Sequence, residues 1–229
     1  MATIYADSSD GWVRSFNQSS WYNARTGAGG LGSTSTASIA VVGVGAYKTS
    51  ARGGGSAYHV YRSFFSFDTS AISTDVSSAS LKIRGVSLST GDLIALKSNS
   101  DIESLGTADF DAIEGWSTGI GSTDGSGGGD NESNVTEYSS EVTTWDVLDY
   151  NTITLNAQAL ADMRDNDKVY IVLINYDYDL KDVAPTGFSD NRNGLFFTEY
   201  TGTSRDPYID YTLAEVTATD NSVFFGTNF

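Results

Sequence analysis

Hydrophobic and polar residues alternate along most of this chain in short runs that are rich in β-branched and aromatic side chains. The stretch from Tyr58 to Leu88 shows this best, because it holds two such runs separated by a polar turn. The second run is apolar at odd positions before Gly85 and at even positions after it: Ala79, Leu81 and Ile83, then Val86 and Leu88. Because successive strand side chains point to opposite faces, this change of phase predicts a β-bulge at Gly85.

Ten strands are predicted from runs of this kind, with turn residues clustered between them. They are Thr3–Ala6, Gly11–Phe16, Ala37–Gly43, Tyr58–Phe67, Ala79–Leu88, Leu93–Lys97, Thr152–Asn156, Val169–Asn175, Gly194–Glu199 and Tyr208–Leu213. The run from Val169 to Ile174 is apolar at every position, which predicts a strand covered on both faces. Short strands with irregular connections are typical of an all-β fold, here a jelly-roll-like antiparallel β-sandwich.

One short capping helix is predicted over Ala157–Arg164, because Asn156 can cap its first turn and Leu160 and Met163 share a face. A second short helix is suggested over Ala108–Ile113. The sandwich domain is expected to occupy residues 1–213, and residues 214–229 form a C-terminal extension of different composition.

The composition excludes several classes of function. The formal net charge of −16 argues against nucleic-acid binding through a basic surface. The chain has no cysteine, which excludes disulfides, thiolate metal sites and cysteine nucleophiles. No run of about 20 apolar residues occurs, so no membrane-spanning helix is predicted.

No catalytic residue is assigned. His59 is the only histidine and lies inside a predicted strand, which favours a structural or surface role. Acidic clusters occur at Asp109, Asp111 and Glu114 and at Asp177, Asp179 and Asp182. A glycosidase needs two facing carboxyl groups, but with 29 acidic residues in the chain such clusters also arise by chance.

Two kinds of ligand are considered for the loops. Calcium is a candidate cofactor at Asp177 and Asp179, or in the loop Asp124–Glu132, because hard cations need several converging oxygens. Aromatic rings at strand ends could stack on a sugar, and the alternative for each is a ring buried in the core. The aromatic residues at such positions are Trp12, Trp21, Tyr22, Trp116, Tyr176 and Tyr178, of which Trp21, Tyr22, Tyr176 and Tyr178 are the candidate glycan-binding residues.

The C-terminal extension combines a polar stretch with apolar residues at Val223, Phe224, Phe225 and Phe229. One interpretation is a docking arm that buries these side chains on a neighbouring subunit. The alternatives are a last strand that returns to the domain's own sheet, or a free tail, although exposed aromatics with no partner would favour aggregation.

Several segments resemble the DNRLRE-type β-sandwich domains, which are similar to carbohydrate-binding modules. SFFSFDTSAI followed by VSSASLKI, at residues 63–72 and 76–83, resembles the pattern FLxFDxSxIPxxAxIxSAxLxL of that family. ITLNAQALADM at 153–163 and FFTEYTGTSRDPYIDYTL at 196–213 look like its helix-capped strand and closing strand. The likeness runs from about Thr3 to Leu213, and its motifs specify the fold better than the function.

Relatives of this kind occur in phage virion proteins and in bacterial surface proteins, so the resemblance implies an adhesive or structural module without a catalytic set. No secretory signal, wall anchor or tandem copy is recognised in the sequence, which favours a virion protein assembled in the host cytoplasm. The function expected is that of a non-enzymatic capsid decoration (cement) protein, or of a small head or tail fibre component. It would be a homo-oligomer that docks to other virion proteins or to copies of itself.

The alternative function is a carbohydrate-binding or adhesin module that is extracellular or on a cell surface and binds cell-surface glycan. A glycoside hydrolase is a third hypothesis, which needs a pair of catalytic carboxylates that the sequence does not single out.

Overall fold

The computed structural model describes residues 1–27, 33–35, 37–99, 102–116, 133–186, 191–198 and 202–215. The strands in these ranges are β1 (Ala2–Tyr5), β2 (Gly11–Gln18), β3 (Ser33–Ser35), β4 (Ile39–Ser50), β5 (Ser56–Asp68), β6 (Val76–Ser89), β7 (Leu93–Lys97), β8 (Tyr150–Thr154), β9 (Lys168–Asn175), β10 (Arg192–Phe196) and β11 (Tyr208–Leu213). The helices are α1 (Trp21–Thr26) and α2 (Ala157–Asp165), with short 3-10 turns at Ile102–Ser104 and Thr107–Asp111 and a π turn at Tyr176–Leu180. No helix among the described residues is long and apolar enough to cross a membrane.

Two antiparallel sheets form the domain, and the predicted all-β sandwich with a short helix is confirmed. The first sheet has the order β1–β11–β6–β8. The second has the order β3–β2–β5–β9–β7. Strand β4 pairs with β5, and β10 pairs with both β4 and β6, so the two sheets join at one corner into a single curled sheet.

Two hydrophobic cores lie on opposite faces of the second sheet. The sandwich core, between the sheets, contains Phe65, Leu81 and Ile171 among others. The outer core lies beneath a cap formed by α1, the 3-10 turns and the π turn, and contains Val172 and Ile174. Strand β9 therefore contributes alternate residues to two different cores, which confirms that it is covered on both faces.

The bulge predicted at Gly85 is confirmed by the pairing of β6 with β10. Gly85 lies opposite Leu195 and Ser89 opposite Asn193, so a span of four residues in β6 matches a span of two in β10. Ser87, within this span, has a φ of 62°. A Cβ atom on Gly85 would overlap the Asp146 carbonyl group, so the first residue of the bulge must be glycine.

Helix α2 begins and packs as predicted. The Asn156 side-chain oxygen accepts hydrogen bonds from the backbone N–H groups of Gln158 and Ala159. Ala159 and Met163 are fully buried against the sandwich core, so the helix covers one part of it. The second predicted helix, over Ala108–Ile113, is a 3-10 turn at Thr107–Asp111 instead.

Four elements were not predicted, the 3-10 turn at Ile102–Ser104 among them, because each lacks the apolar periodicity of a longer element. Helix α1 is a single capped turn in which the Ser20 hydroxyl accepts from the Asn23 N–H. The π turn follows β9 directly. Strand β3 lies within a glycine-rich stretch, and β4 continues to Ser50, beyond the predicted limit at Gly43, by pairing with β5.

Candidate functional site

Trp21, the first of the candidate glycan-binding residues, is buried and cannot stack on a sugar. Its side chain is 2% exposed in the outer core. The indole Nε1–H donates to the Asp182 carboxylate at 2.9 Å, which satisfies its one polar atom. The expectation for Trp21 is therefore wrong, because the cap over the outer core needed a large apolar anchor at this position. Tyr22, the next residue of α1, is half-buried.

Tyr176 and Tyr178 lie on the π turn, and both rings are half-buried against the outer core. The Lys181 ammonium lies 4.0 Å from the centre of the Tyr176 ring. The Tyr176 N–H donates to the backbone carbonyl of Asp92. These two tyrosines keep a partly exposed ring at the surface.

The two calcium candidates lie in different environments. Asp179 is fully buried and accepts two hydrogen bonds from Arg62, so it is not available as a calcium ligand, and that expectation is wrong. Asp177 instead belongs to an exposed carboxylate cluster with Asp92 and Glu141, in which one oxygen from each residue lies within 4.8 Å of the others. Such an arrangement of oxygens suits a hard cation. The loop Asp124–Glu132 lies outside the described residues.

Burial and mutual repulsion raise the pKa values of two carboxyl groups in this cluster. Partial desolvation, followed by the charge of Asp177, raises the pKa of Asp92. Desolvation, followed by the charges of Asp92 and Asp177, raises the pKa of Glu141. The folded chain therefore holds protons here more tightly than isolated carboxyl groups do.

A buried ion network fixes the cap to the second sheet. Arg62, on β5, donates to Asp111 at 2.7 Å and to the backbone carbonyls of Phe110 and Arg25 at 2.7 and 3.0 Å. Burial, opposed by the Arg62 charge, raises the pKa of Asp111. The Trp116 ring lies over both guanidinium groups, with centroid distances of 4.8 Å to Arg25 and 4.4 Å to Arg62. Asp111 and Asp179 therefore act as structural ion-pair partners of Arg62.

The contacts of His59 are those of a structural residue, in agreement with the structural or surface role that the sequence favours. Its ring stacks on Tyr47 at 4.6 Å and contacts Phe16 at 4.5 Å. Nδ1 accepts the Asn17 N–H at 3.2 Å, and Nε2 shares a 2.8 Å hydrogen bond with the Thr49 hydroxyl. Burial, with smaller contributions from the charges of Arg192 and Arg14, lowers the pKa of His59 to about 4.

The rings around His59 belong to a larger, mostly buried aromatic cluster on the inner face of the second sheet. Val13 points into the outer core, so its neighbours on β2, Trp12 and Arg14, lie on the opposite face. The Trp12 and Tyr61 rings are 5.6 Å apart, and Tyr47 stacks on Tyr61 at 6.1 Å. Strands β2, β4 and β5 thus present one connected set of rings.

Arg14 lies at the centre of this cluster. Its Nη1 donates to the Tyr61 hydroxyl at 2.9 Å, and its guanidinium carbon lies 4.5 Å from the Phe16 ring centre and 5.2 Å from that of Trp12. Its Nε–H is buried without a hydrogen-bond partner, and no carboxylate within the described ranges lies within 4.0 Å of the guanidinium. Arg14 therefore offers a positive charge at the surface of an acidic protein.

A groove opens beside Arg14 where β4 diverges from β5. The cavity measures about 250 Å³ and is lined by Trp12, Arg14, Ile39, Ala40, Val41, Val42 and Tyr61, which together we call the β4 groove. Ile39 is 40% exposed and Val41 is 58% exposed, so its rim is apolar and open to solvent. Among the described strands, the first half of β4 pairs with β10 alone, which leaves its other edge facing the groove.

This groove was not predictable from the sequence. The sequence predicts a strand in this region, and β4 is found there. The point where β4 leaves β5, however, depends on the long-range pairing of Ala40 with Leu195. Only the tertiary structure brings the exposed β4 side chains together with Trp12 and Arg14.

A larger cavity of about 490 Å³ lies along β8, the edge strand of the first sheet. Its lining is rich in hydroxyl groups and also includes Glu141, so the cavity adjoins the carboxylate cluster: Ser140, Glu141, Val142, Thr143, Thr144, Thr152, Thr154, Leu155 and Asn156. The predicted docking residues Val223, Phe224, Phe225 and Phe229 lie outside the described residues.

No known protein-family model matches the chain, and no curated protein sequence matches it. The functional interpretation therefore depends on the residues and their geometry.

Proposed function

We propose that this chain is a non-enzymatic phage virion structural protein, a capsid decoration protein or a small head or tail fibre component, that acts by protein–protein docking. The observation that carries the proposal is the β4 groove, an exposed apolar surface with a central arginine on an otherwise acidic domain. Contacts of this composition, with tryptophan, tyrosine and arginine at the centre, dominate the binding energy of protein interfaces. The resemblance to domains found in virion proteins supports the same interpretation.

The C-terminal extension, residues 214–229, supplies the matching apolar residues and is proposed as the docking arm. Burying one phenylalanine contributes about 1.5–3 kcal/mol, and Phe224, Phe225 and Phe229 could act together. Symmetric repetition on a particle multiplies contacts that are individually weak. The net charge of −16 keeps copies apart in solution until specific contacts form.

The direct test is the presence of the chain in purified particles. Particles released by the bacterial strain that encodes the chain are banded by density gradient and probed with an antibody raised against the purified protein. We expect a signal in the particle band, and its loss when the encoded chain is cut after Glu215. This cut keeps the hydrogen bond from Ala214 N–H to the Asp75 carbonyl and all eleven strands. Absence of the full chain from the particle band would contradict the proposal.

A second candidate function is glycan binding, favoured by the surface around Tyr176 and Tyr178. Both tyrosines flank Asp177 on the π turn, which belongs to the carboxylate cluster, and Glu141 of the same cluster lines the hydroxyl-rich cavity along β8. Aromatic rings, acceptors and hydroxyl groups are the elements from which sugar sites are built.

A glycan array probed with the full chain tests this candidate, with and without a calcium chelator. Binding that falls at least tenfold in Tyr176→Ala and Tyr178→Ala, but not in Tyr5→Ala, supports it. Tyr5 is the control because it is 46% exposed on β1, away from the π turn. No glycan signal from the folded chain would remove this candidate.

A further inference from the structure

We infer that the β4 groove is the receptor for residues 214–229 of a second copy of this chain. The inference rests on the proposed function, in which that segment is a docking arm, and it names the surface to which the arm binds. It connects two features that otherwise have no relation: an apolar groove on the described domain, and an aromatic segment after the last strand.

The size and lining of the groove fit apolar side chains. Its volume of about 250 Å³ is below the usual range for sites that enclose a small molecule, which begins at about 300 Å³. Its rim carries the aliphatic side chains of Ile39 and Val41, beside the Arg14 guanidinium and the backbone of β4. This composition favours a peptide with apolar anchors over an oligosaccharide.

Charge also favours this occupant. Residues 214–229 contain Glu215 and Asp220 and no lysine, arginine or histidine. Arg14, in the groove, has no carboxylate partner in the part of the chain that the structure describes. The chain has 13 basic residues against 29 acidic ones, so a positive charge without a carboxylate partner is uncommon on it. Because Arg14 lies beside apolar side chains, it complements a segment that is both acidic and aromatic.

The exposed edge of β4 provides the remaining interaction. An extended segment that lies along this edge pairs its backbone groups with those of Ile39–Val42, while alternate side chains enter the groove. The segment 216–225, VTATDNSVFF, is rich in the β-branched and aromatic residues that suit such pairing.

The path between the last strand and the groove favours a second copy. Leu213 pairs with Val76, whereas the groove adjoins β10 where Leu195 pairs with Gly85, nine residues along β6. Nine residues of strand span about 30 Å, and the two strand spacings between β6 and the groove add about 10 Å at right angles, which makes a separation of about 32 Å. Val223 is ten residues beyond Leu213 and reaches at most about 33–36 Å. Docking within one copy would therefore require an almost fully stretched connection, which is entropically costly.

The test measures binding of a fluorescent peptide with the sequence of residues 214–229 to the chain cut after Leu213, which retains every described strand. Fluorescence anisotropy is expected to show saturable binding. Val41→Asp is expected to weaken the binding at least tenfold, because it places a carboxylate in the apolar rim and opposite an acidic peptide. Leu148→Asp is the matched control, since Leu148 is 77% exposed on another surface, and it should leave the affinity unchanged.

Arg14→Met tests the charge without removing the packed stem. We expect weaker binding with a smaller dependence on salt concentration, because the ionic contribution is lost. A peptide with Phe224→Ala and Phe225→Ala should bind at least tenfold more weakly. In the full chain, sedimentation velocity should show association that rises with concentration and is reduced by Val41→Asp.

The outcomes separate this inference from the proposed function. Equal binding by Val41→Asp and Leu148→Asp, no saturable binding, or a full chain that stays monomeric at all concentrations would overturn the inference. A glycan that binds the groove in place of the peptide would also overturn it. If the chain is found in particles and needs residues 216–229 there, but Val41→Asp is incorporated normally, the proposed function stands and this receptor surface is wrong.

Discussion

Arg62 and Asp179 form a bidentate ion pair from which solvent is fully excluded. Nε and Nη2 of Arg62 each donate to a different oxygen of Asp179 at 2.8 Å, and both side chains are 0% exposed. Arg62 lies on β5 and Asp179 on the π turn, so the pair joins the second sheet to its cap. Because each charge depends on the other in a place without water, the pair makes the cap and the sheet interdependent.

Removing one partner should be strongly destabilising. We expect Asp179→Asn to lower the free energy of unfolding by about 3–5 kcal/mol, because it leaves the Arg62 charge buried without a full counter-charge. Urea unfolding at pH 7, followed by tryptophan fluorescence, measures the change. Asp165→Asn is the control: its pair with Arg164 is solvent-exposed, so the loss of stability should be much smaller. A similar small loss for both variants would contradict this role.

The bulge in β6 should tolerate no side chain at Gly85. Gly85→Ala places a methyl group against the Asp146 carbonyl and 2.9 Å from the Trp145 indole nitrogen. We expect a loss of about 3 kcal/mol in stability, since backbone must move to relieve the overlap. Gly55→Ala, where the nearest atom would be 3.8 Å away, should be nearly neutral. Equal melting temperatures for the two variants would show that the bulge accommodates a side chain.

His59 should make the fold less stable in mild acid. Its folded pKa of about 4 lies below the ordinary histidine value of 6.5, so the unfolded chain takes up the proton first as the pH falls. The stabilisation is complete above pH 6.5 and decreases as the pH falls from there towards 4, by about 1–2 kcal/mol between pH 8 and pH 5. His59→Gln should lose this part of the pH dependence in urea unfolding. Because His59 is the only histidine, proton NMR of its ring also reports the midpoint directly, and a midpoint near 6.5 would contradict the burial argument.

The carboxylate cluster should have the opposite pH dependence. The raised pKa values of Asp92 and Glu141 mean that the folded chain binds protons more tightly than the unfolded chain, so stability falls as the pH rises through them. We expect Glu141→Gln to stabilise the chain at pH 7 by about 0.5 kcal/mol, a small gain because solvent screens the exposed side chain. The gain should disappear near pH 4. Glu215→Gln, an exposed glutamate outside the cluster, should give no such gain, and a destabilised Glu141→Gln would show that the three charges are not in net repulsion.

Local features of the fold were predictable because they depend on residues close in sequence. The change of apolar phase at Gly85 identified the bulge, and Asn156 identified the start of α2. The continuous apolar run from Val169 to Ile174 showed that β9 has no solvent-exposed face. In each case alternation or capping within a few residues sets the outcome.

The site residues were less predictable because the identity of an aromatic or acidic residue does not show whether its side chain is buried or exposed. Asp177 and Asp179 are two residues apart, yet one is in an exposed cluster and the other in a buried ion pair. Trp21 was a candidate glycan-binding residue, with a buried ring as the alternative, and it is buried in the outer core. These differences depend on which distant strand or turn lies opposite each side chain.

The sequence by itself determined the strand content, the bulge, the capping helix and the acidic character of this protein, since each follows from periodicity, turn chemistry or charge along the chain. Only the tertiary structure decided that a third layer covers the second sheet and that Arg62 is matched by Asp179. It also decided that β4 leaves β5 to expose Ile39 and Val41 beside Arg14. The physical reason is that pairing between distant strands decides which side chains are exposed to solvent and which are buried together. A local sequence pattern does not contain this information.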